Sequence, residues 1–500
     1  SIGNQFEIHL LAELYNKSIK ITYENLKPAI VEELIIPLAE DYELLGLDEF
    51  ILDSRNFHFN FSHDRVQQAA YSMVDGEERS KLHLYIAEKL LLQETKGEYL
   101  FEIVHQFNEA LSLLVDDETK LKVSQLNLQA AIKATNSNAY TSALNYITIA
   151  ESLLGKKSWE TNYKLTFDIK SLGAEAFYLK GEPKKSDVYI SECLEMAKNP
   201  IDKADIYYLK MLRLTLHNLY GEAIDAGRYG LEELGYDFPS DNLEPLIGEQ
   251  IGFLLGYFQT NGIESIADNP DMTDPKSLAI IKILDNFSMP TYVGGYTNLW
   301  ILQASMKVSY SIENGNTPET AYALSELGLI LNLQGQYDFA LQVGELSKTL
   351  AEKFEKRSLR HKARSFHLIA NYNFVWNRHI NEITEINEEG FIASMNSGEL
   401  IFAGYTNFHA FFSKFYSGSV NLEEIKRDLP DAIRFNESIL MDLALDALIC
   451  LEMVIDTLTG ANKNPLEFKS DRFNEAEFIT FCQDKKDFYG LATLYTYKAC

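Results

Sequence analysis

Hydrophobic and polar positions alternate in two different periods along this chain. IHLLAELYNKS (8–18) and PAIVEELIIPLAEDYELL (28–45) carry apolar residues at helical spacing. Residues 56–61, NFHFNF, then switch to a period of two. Phe57, Phe59 and Phe61 fall on one side of a predicted strand, with Asn56, His58 and Asn60 on the other. The helical period resumes at once. Val66, Ala69, Ala70 and Met73 form an expected buried stripe, with Ser62 or Asp64 placed to cap the first turn. Helices that lead into a short hairpin and a further helix predict a small winged-helix-like unit over residues 1–96.

From about residue 97 to residue 500 the pattern is helix after helix, divided by short polar breaks, and it repeats. The clearest unit is AYALSELGLILNLQGQYDFALQVGELSKTLA, residues 321–351. Leu327-Gly328 supply a small residue for close helix contact, Gly335 and Tyr337 mark the turn, and Ala340 is the small residue of the second helix. These are the positions a tetratricopeptide (TPR) helix pair requires. Weaker copies align on it, with Tyr140 and Ala143 in one, Tyr220 and Ala223 in another, and Gly181 at the turn of a third. At roughly 34–45 residues per pair the region holds on the order of ten pairs. The expected fold class is therefore mostly all-α: a winged-helix-like N-terminal unit followed by a TPR-like α-solenoid. Bends are expected at DFPSDNLEP and DNPDMTDPKS, where proline and aspartate cluster.

Composition narrows the function. With 73 acidic against 45 basic residues the net charge is −28, which repels nucleic-acid phosphates and anionic membranes, so neither partner is expected. Cys193, Cys450, Cys482 and Cys500 share no metal or disulfide spacing and read as reduced thiols of a cytoplasmic protein. The richest apolar stretch, MDLALDALICLEMVIDTL, carries four acids and does not read as a membrane span. The chain opens without a methionine and stops inside a helical pattern, as an internal piece of a larger protein does.

No catalytic constellation emerges. LLGKKSW fails as a phosphate loop, because Lys157 stands where Ser or Thr is needed and Ala150 where the first glycine belongs. His361 and His367 are six apart, wrong for a metal pair on adjacent turns. Carboxylate pairs such as Glu388-Glu389 are what 73 acids place on solvated helix faces. Residues 401–418 are more specific. Phe402, Tyr405, Phe408, His409, Phe412, Phe415 and Tyr416 share one broad helical face, of which Phe402, Tyr405, His409 and Phe412 are the candidate ligand groove. The alternative is plain helix-pair core. His63 likewise has two readings: a half-buried turn histidine donating to a backbone carbonyl, or an anion sensor at a helix N-terminus.

FNFSHDRVQQAAYSMVDGEERSKLHLYIAEKLL, LFEIVHQFNEA, LNLQAAIKATNSNAYTSALNYI, GIESIADNPDMTDPKSLAIIKIL and NGNTPETAYALSELGLIL together carry a resemblance along nearly the whole chain. The chain resembles the region after the ATPase in a group of bacterial signalling proteins. These join a serine/threonine-kinase-like domain, an AAA/STAND-type ATPase, a TPR-like region, a GAF domain and a sensor histidine kinase. In related STAND ATPases, the cell-death switches, a winged-helix His-Asp pair contacts the β-phosphate of ADP. Ser62, His63 and Asp64 resemble that motif, with Ser where those switches have Met.

The resemblance implies that His63 senses a nucleotide held by an upstream ATPase domain, and that Asp64 braces it. It implies ATP or ADP with Mg in the parent protein and no cofactor in this segment, whose own sequence lacks the phosphate loop and kinase motifs. The implied partners are the upstream ATPase and the downstream kinase of the same chain, a protein or small-molecule signal, and a further copy in a homo-oligomer. Two other readings stand beside it: the arm of a STAND-type transcription activator, and a plain TPR interaction scaffold.

Overall fold

A computed structural model describes residues 5–39, 42, 45, 57–93, 99–462, 464, 467–470, 472–485 and 488–499. Asn56, Cys500 and the expected boundary at 96/97 lie outside the described residues. The chain is mostly α-helical, with one small sheet among the described residues, and it divides into two compact units, residues 1–198 and 199–500.

The first unit opens with strand β1 (Gln5–Glu7), helices α1 (Ile8–Tyr15) and α2 (Ile19–Val31), then strands β2 (Ile35–Pro37) and β3 (His58–Phe61). The helical pattern expected through residues 28–45 therefore breaks. The side chain of Ser18 caps α2 by accepting from the amide of Ile21, and Ile35 enters the sheet instead of a further helical turn. β3 is the central strand, antiparallel to both neighbours, with Phe6 opposite Phe59 and Ile36 opposite Asn60. The alternation of NFHFNF acts as a strand does: Phe57 and Phe59 are buried, and Phe59 stacks on Phe6 with ring centroids 5.8 Å apart. Phe61 on the same side is half-buried.

Helices α3 (Asp64–Ser72), α4 (Gly76–Gln93), α5 (Leu100–Glu109), α6 (Asp117–Asn136), α7 (Tyr140–Ser152), α8 (Ser158–Thr161), α9 (Tyr163–Leu179) and α10 (Pro183–Met196) follow in this unit. The second unit holds α11 (Pro200–Leu216), α12 (Tyr220–Glu233), α13 (Leu243–Asn261), α14 (Pro275–Asn286), α15 (Ser288–Val293), α16 (Thr297–Asn314), α17 (Pro318–Leu333) and α18 (Tyr337–Lys353). It continues through α19 (Leu359–Leu368), α20 (Ile380–Ser397), α21 (Leu400–Ser417), α22 (Leu422–Ser438), α23 (Asp442–Leu458), α24 (Glu475–Lys485) and α25 (Phe488–Lys498).

One turn recurs between paired helices. A residue in the left-handed region stands two positions before the second helix: Asn138, Asn218, Gly335 and Gly398 have φ between 59° and 75°. The next amide reaches back five residues to a carbonyl, as in Ala139 to Ala134, Leu219 to Leu214, Gln336 to Leu331 and Glu399 to Ser394, each 2.9 Å. This closes the first helix and turns the chain back upon it. Asparagine and glycine tolerate the conformation best, which is why three of these turns are legible as N-x-Y (138–140, 218–220) or G-x-Y (335–337).

The small residues expected at the pair contacts are deeply placed. Leu327, Ala340, Ala143 and Ala223 are all buried. A Cβ on Gly328 would lie 2.5 Å from the amide nitrogen of Asn373, so only glycine fits that approach. The tyrosines differ from a gap-filling aromatic. Tyr140 and Tyr220 are half-buried and donate to Asn138 and Asn218 (2.7 Å each), while Tyr337 is 42% exposed and packs against Trp376.

Candidate functional site

His63 is the residue immediately before α3, extended at φ −150° and ψ 148°, and its carbonyl accepts from the amides of Val66 and Gln67. Neither Ser62 nor Asp64 caps the helix; the cap position belongs to His63, whose side chain makes no capping bond. Ser62 is tied to the sheet instead, its amide donating to the carbonyl of Leu34 at 3.0 Å. His63 and Asp64 are exposed, not half-buried in a packed turn. The expected stripe of α3 is also not buried. Val66 is half-buried, Ala69 and Ala70 are exposed, and Met73 is 86% exposed. Periodicity placed these residues on one face of a helix correctly, but no neighbouring element among the described residues covers it.

A buried ionic network links helices of the second unit. Lys307 on α16 is wholly buried, and its ammonium donates to Asp285 on α14 (3.2 Å), Ser288 (3.1 Å) and Glu326 on α17 (2.5 Å). The second oxygen of Glu326 accepts from Trp300 Nε1 (3.0 Å) and Gln303 (3.3 Å). Asp285 Oδ2 faces His361 Nε2 (3.3 Å) and Arg364 (3.6 Å), and Glu399 accepts from Arg360 and Arg364. Three carboxylates thus meet three permanent cations.

Burial alone would raise the carboxyl of Asp285, but Lys307, His361 and Arg364 outweigh it and hold it far below the ordinary carboxylate range. Burial would likewise lower Lys307 and Arg364; their carboxylate neighbours win, and both are raised. The charges of the network balance among its own side chains, and its bonds tie α14, α16, α17 and α19 together.

Beside it lies a histidine-centred aromatic cluster. His367, at the end of α19, has ring centroids 5.3 Å from Tyr405, 5.5 Å from His409, 5.7 Å from Phe402 and 5.8 Å from Tyr372. Arg364 lies 5.5 Å over Phe402, which joins the cluster to the ionic network. Three of the four candidate groove residues, Phe402, Tyr405 and His409, are therefore brought together. Phe412 is not: it packs toward Tyr416 and Tyr497 in the core formed by α22, α23 and α25. Phe408 is likewise buried in that core.

Tyr372 reaches the cluster because residues Ile369–Asn373 form a π-turn at the end of α19. Asn332 holds that turn by donating to the carbonyls of Tyr372 (2.6 Å) and Asn373 (3.5 Å). Asn371 pairs amide to amide with Asn387. Sequence periodicity gave no sign of this turn; NYN within a helical pattern was the one available signal. Burial depresses the basicity of both histidines, His409 to about 4, and His367 well below its ordinary value with His409 adding to the effect. The surface they form offers uncharged donors and acceptors among aromatic rings. It contains no nucleophile paired with a base. Among the described residues no group of three or more metal-ligating side chains comes together, and no helix is long and apolar enough to cross a membrane.

No protein-family model matches the chain. It is 22% identical over 453 residues to the hybrid signal transduction histidine kinase G of Dictyostelium discoideum, across 81% of this chain. It spans 13% of the length of that curated relative. Among solved structures, similarity extends to a STAND protein with a tetratricopeptide repeat sensor from Pyrococcus horikoshii. That alignment has a TM-score of 0.46 and 12% identity, covering 99% of this chain and 60% of that one. A second is aspartyl phosphate phosphatase F from Bacillus subtilis, with a TM-score of 0.42 and 15% identity over 83% of this chain and 94% of that one.

Proposed function

We propose that this chain is a regulatory sensor segment of a multidomain signalling protein, coupling a signal bound on its helical repeats to the nucleotide state of an ATPase and the output of a kinase. The observation that carries this reading is the likeness, across 81% of the chain, to a protein named as a signal transduction histidine kinase. The exposed His63, at the N-terminus of α3 and followed by Asp64, supports the nucleotide-facing end of the reading. An imidazole free of a capping bond can meet a phosphate presented to it. Phe402, Tyr405 and His409, joined by His367 and Tyr372, are the face proposed for the signal, a protein or small molecule. ADP and Mg would be held by the ATPase, and this segment would contribute a contact to the nucleotide without chemistry of its own. A differential contact of about 1–3 kcal/mol between two states is enough for such coupling.

The test joins the segment to the ATPase encoded upstream of it and follows ADP retention. His63→Ala should shorten the retention time; unchanged retention in a folded variant removes the sensing role. A scaffold without nucleotide coupling would instead bind its partner equally in the ADP and ATP states.

A further inference from the structure

Helix α3, which carries the Ser62-His63-Asp64 junction, has no buried residue; Val66, Gln67 and Tyr71 are half-buried and the others exposed. Its last turn nevertheless makes a specific polar contact. The hydroxyl of Tyr71 lies 2.9 Å from Nε2 of His83 on α4, and Nδ1 of His83 lies 2.5 Å from Oε1 of Gln106 on α5. His83 and Gln106 are 2% and 1% exposed. The amide oxygen of Gln106 only accepts, so Nδ1 of His83 carries the proton and Nε2 accepts from Tyr71. Arg79 lies 4.7 Å over the ring of Tyr71, and His105 meets His83 edge-on at 6.4 Å. Burial lowers the basicity of His83, outweighing its bond to Gln106.

We infer that Tyr71, His83 and Gln106 form a latch that docks α3 onto the first helices of the array, so that α3 can move as an arm when the latch opens. An ordinary surface helix is held by an apolar stripe; here only Val66, Gln67 and Tyr71 are half-buried, and Tyr71 joins a hydrogen-bonded chain that runs through His83 to the buried Gln106. Such a chain is directional, and the loss of one bond breaks it. His83 is a positioning residue in this scheme. That its movement would present or withdraw His63 rests on the nucleotide-sensing reading above; the latch itself does not.

Hydrogen exchange of the whole 500-residue chain tests the latch directly. Tyr71→Phe removes one hydroxyl and leaves the ring, so α3 amides should exchange at least tenfold faster, a clearly larger change than in α4 and α5, where only His83 loses a partner. Gln106→Leu should do the same, and Gln106→Glu, which still accepts from Nδ1, should restore slow exchange. Unchanged α3 exchange in Tyr71→Phe overturns the proposal. So does acceleration spread equally through α4 and α5, which would make these residues ordinary core. If the latch holds but His63→Ala leaves ADP retention unchanged, the latch stands and the sensing reading falls.

Discussion

Gly328 on α17 and Asn373 in the π-turn approach so closely that a Cβ on the glycine would stand 2.5 Å from the asparagine amide nitrogen and 2.7 Å from its Cγ. The amide of Asn373 also donates to the carbonyl of Ser325 at 3.3 Å, which fixes the side chain across the glycine. The small residue of the repeat is thus the seat for the irregular turn that places Tyr372 beside His367.

Gly328→Ala is expected to destabilise the second unit by about 1–3 kcal/mol, the ordinary range for overpacking. Asn373→Ala alone loses the Ser325 bond, but combined with Gly328→Ala it removes the clash. The double variant should therefore be more stable than the sum of the two single effects. Denaturant midpoints of the four proteins close this cycle.

Asn332 supplies hydrogen bonds to two carbonyls that the π-turn leaves open. Asn332→Leu should cost about 1–3 kcal/mol, because buried acceptors are left unpaired. Loss of the turn should also free Tyr372, seen as a change in its ring resonances or in tyrosine fluorescence.

Lys307→Met leaves Asp285 and Glu326 buried without their shared cation, and should destabilise by about 3–5 kcal/mol. Adding Glu326→Gln should recover part of the loss, since glutamine is uncharged and still accepts from Trp300. Equal stability of the single and double variants would mean that the carboxylate of Glu326 is not strained by losing Lys307.

Acid should weaken the aromatic cluster before it reaches Asp285. His409 has a folded pKa of about 4 against an ordinary value of 6.5. Below pH 6.5 the unfolded chain takes up a proton that the folded chain refuses, so stability is full above 6.5 and falls as pH drops toward 4. His367 shifts in the same direction. For His409 the loss is of order 2 kcal/mol, allowing for its partly exposed edge. Chemical denaturation at pH 7.5 and pH 5 should show it, and His409→Phe should shrink the difference. Asp285, held below the ordinary carboxylate range, loses its contribution only at still lower pH.

Much of the helical array was legible because its signals are local. N-x-Y and G-x-Y mark turns whose left-handed residue is dictated by backbone sterics, and Ala143, Ala223, Gly328 and Ala340 mark contacts with no room for a larger side chain. The alternating phenylalanines of residues 57–61 likewise announced a strand with one buried side.

Local patterns specify the succession of helices, most of their turns, and the histidine that precedes α3. Tertiary structure alone decided which faces are covered. The apolar face of α3 repeats every helical turn, yet of its residues only Val66 is half-buried and Ala69 and Ala70 are exposed, whereas Phe402 and Phe412, ten residues apart on one helix, enter different clusters. It also decided that Lys307 shares its ammonium with carboxylates 22 and 19 residues away. Periodicity reports which side of an element is apolar; only packing in three dimensions says what lies against it, and therefore which polar groups must pair in the interior.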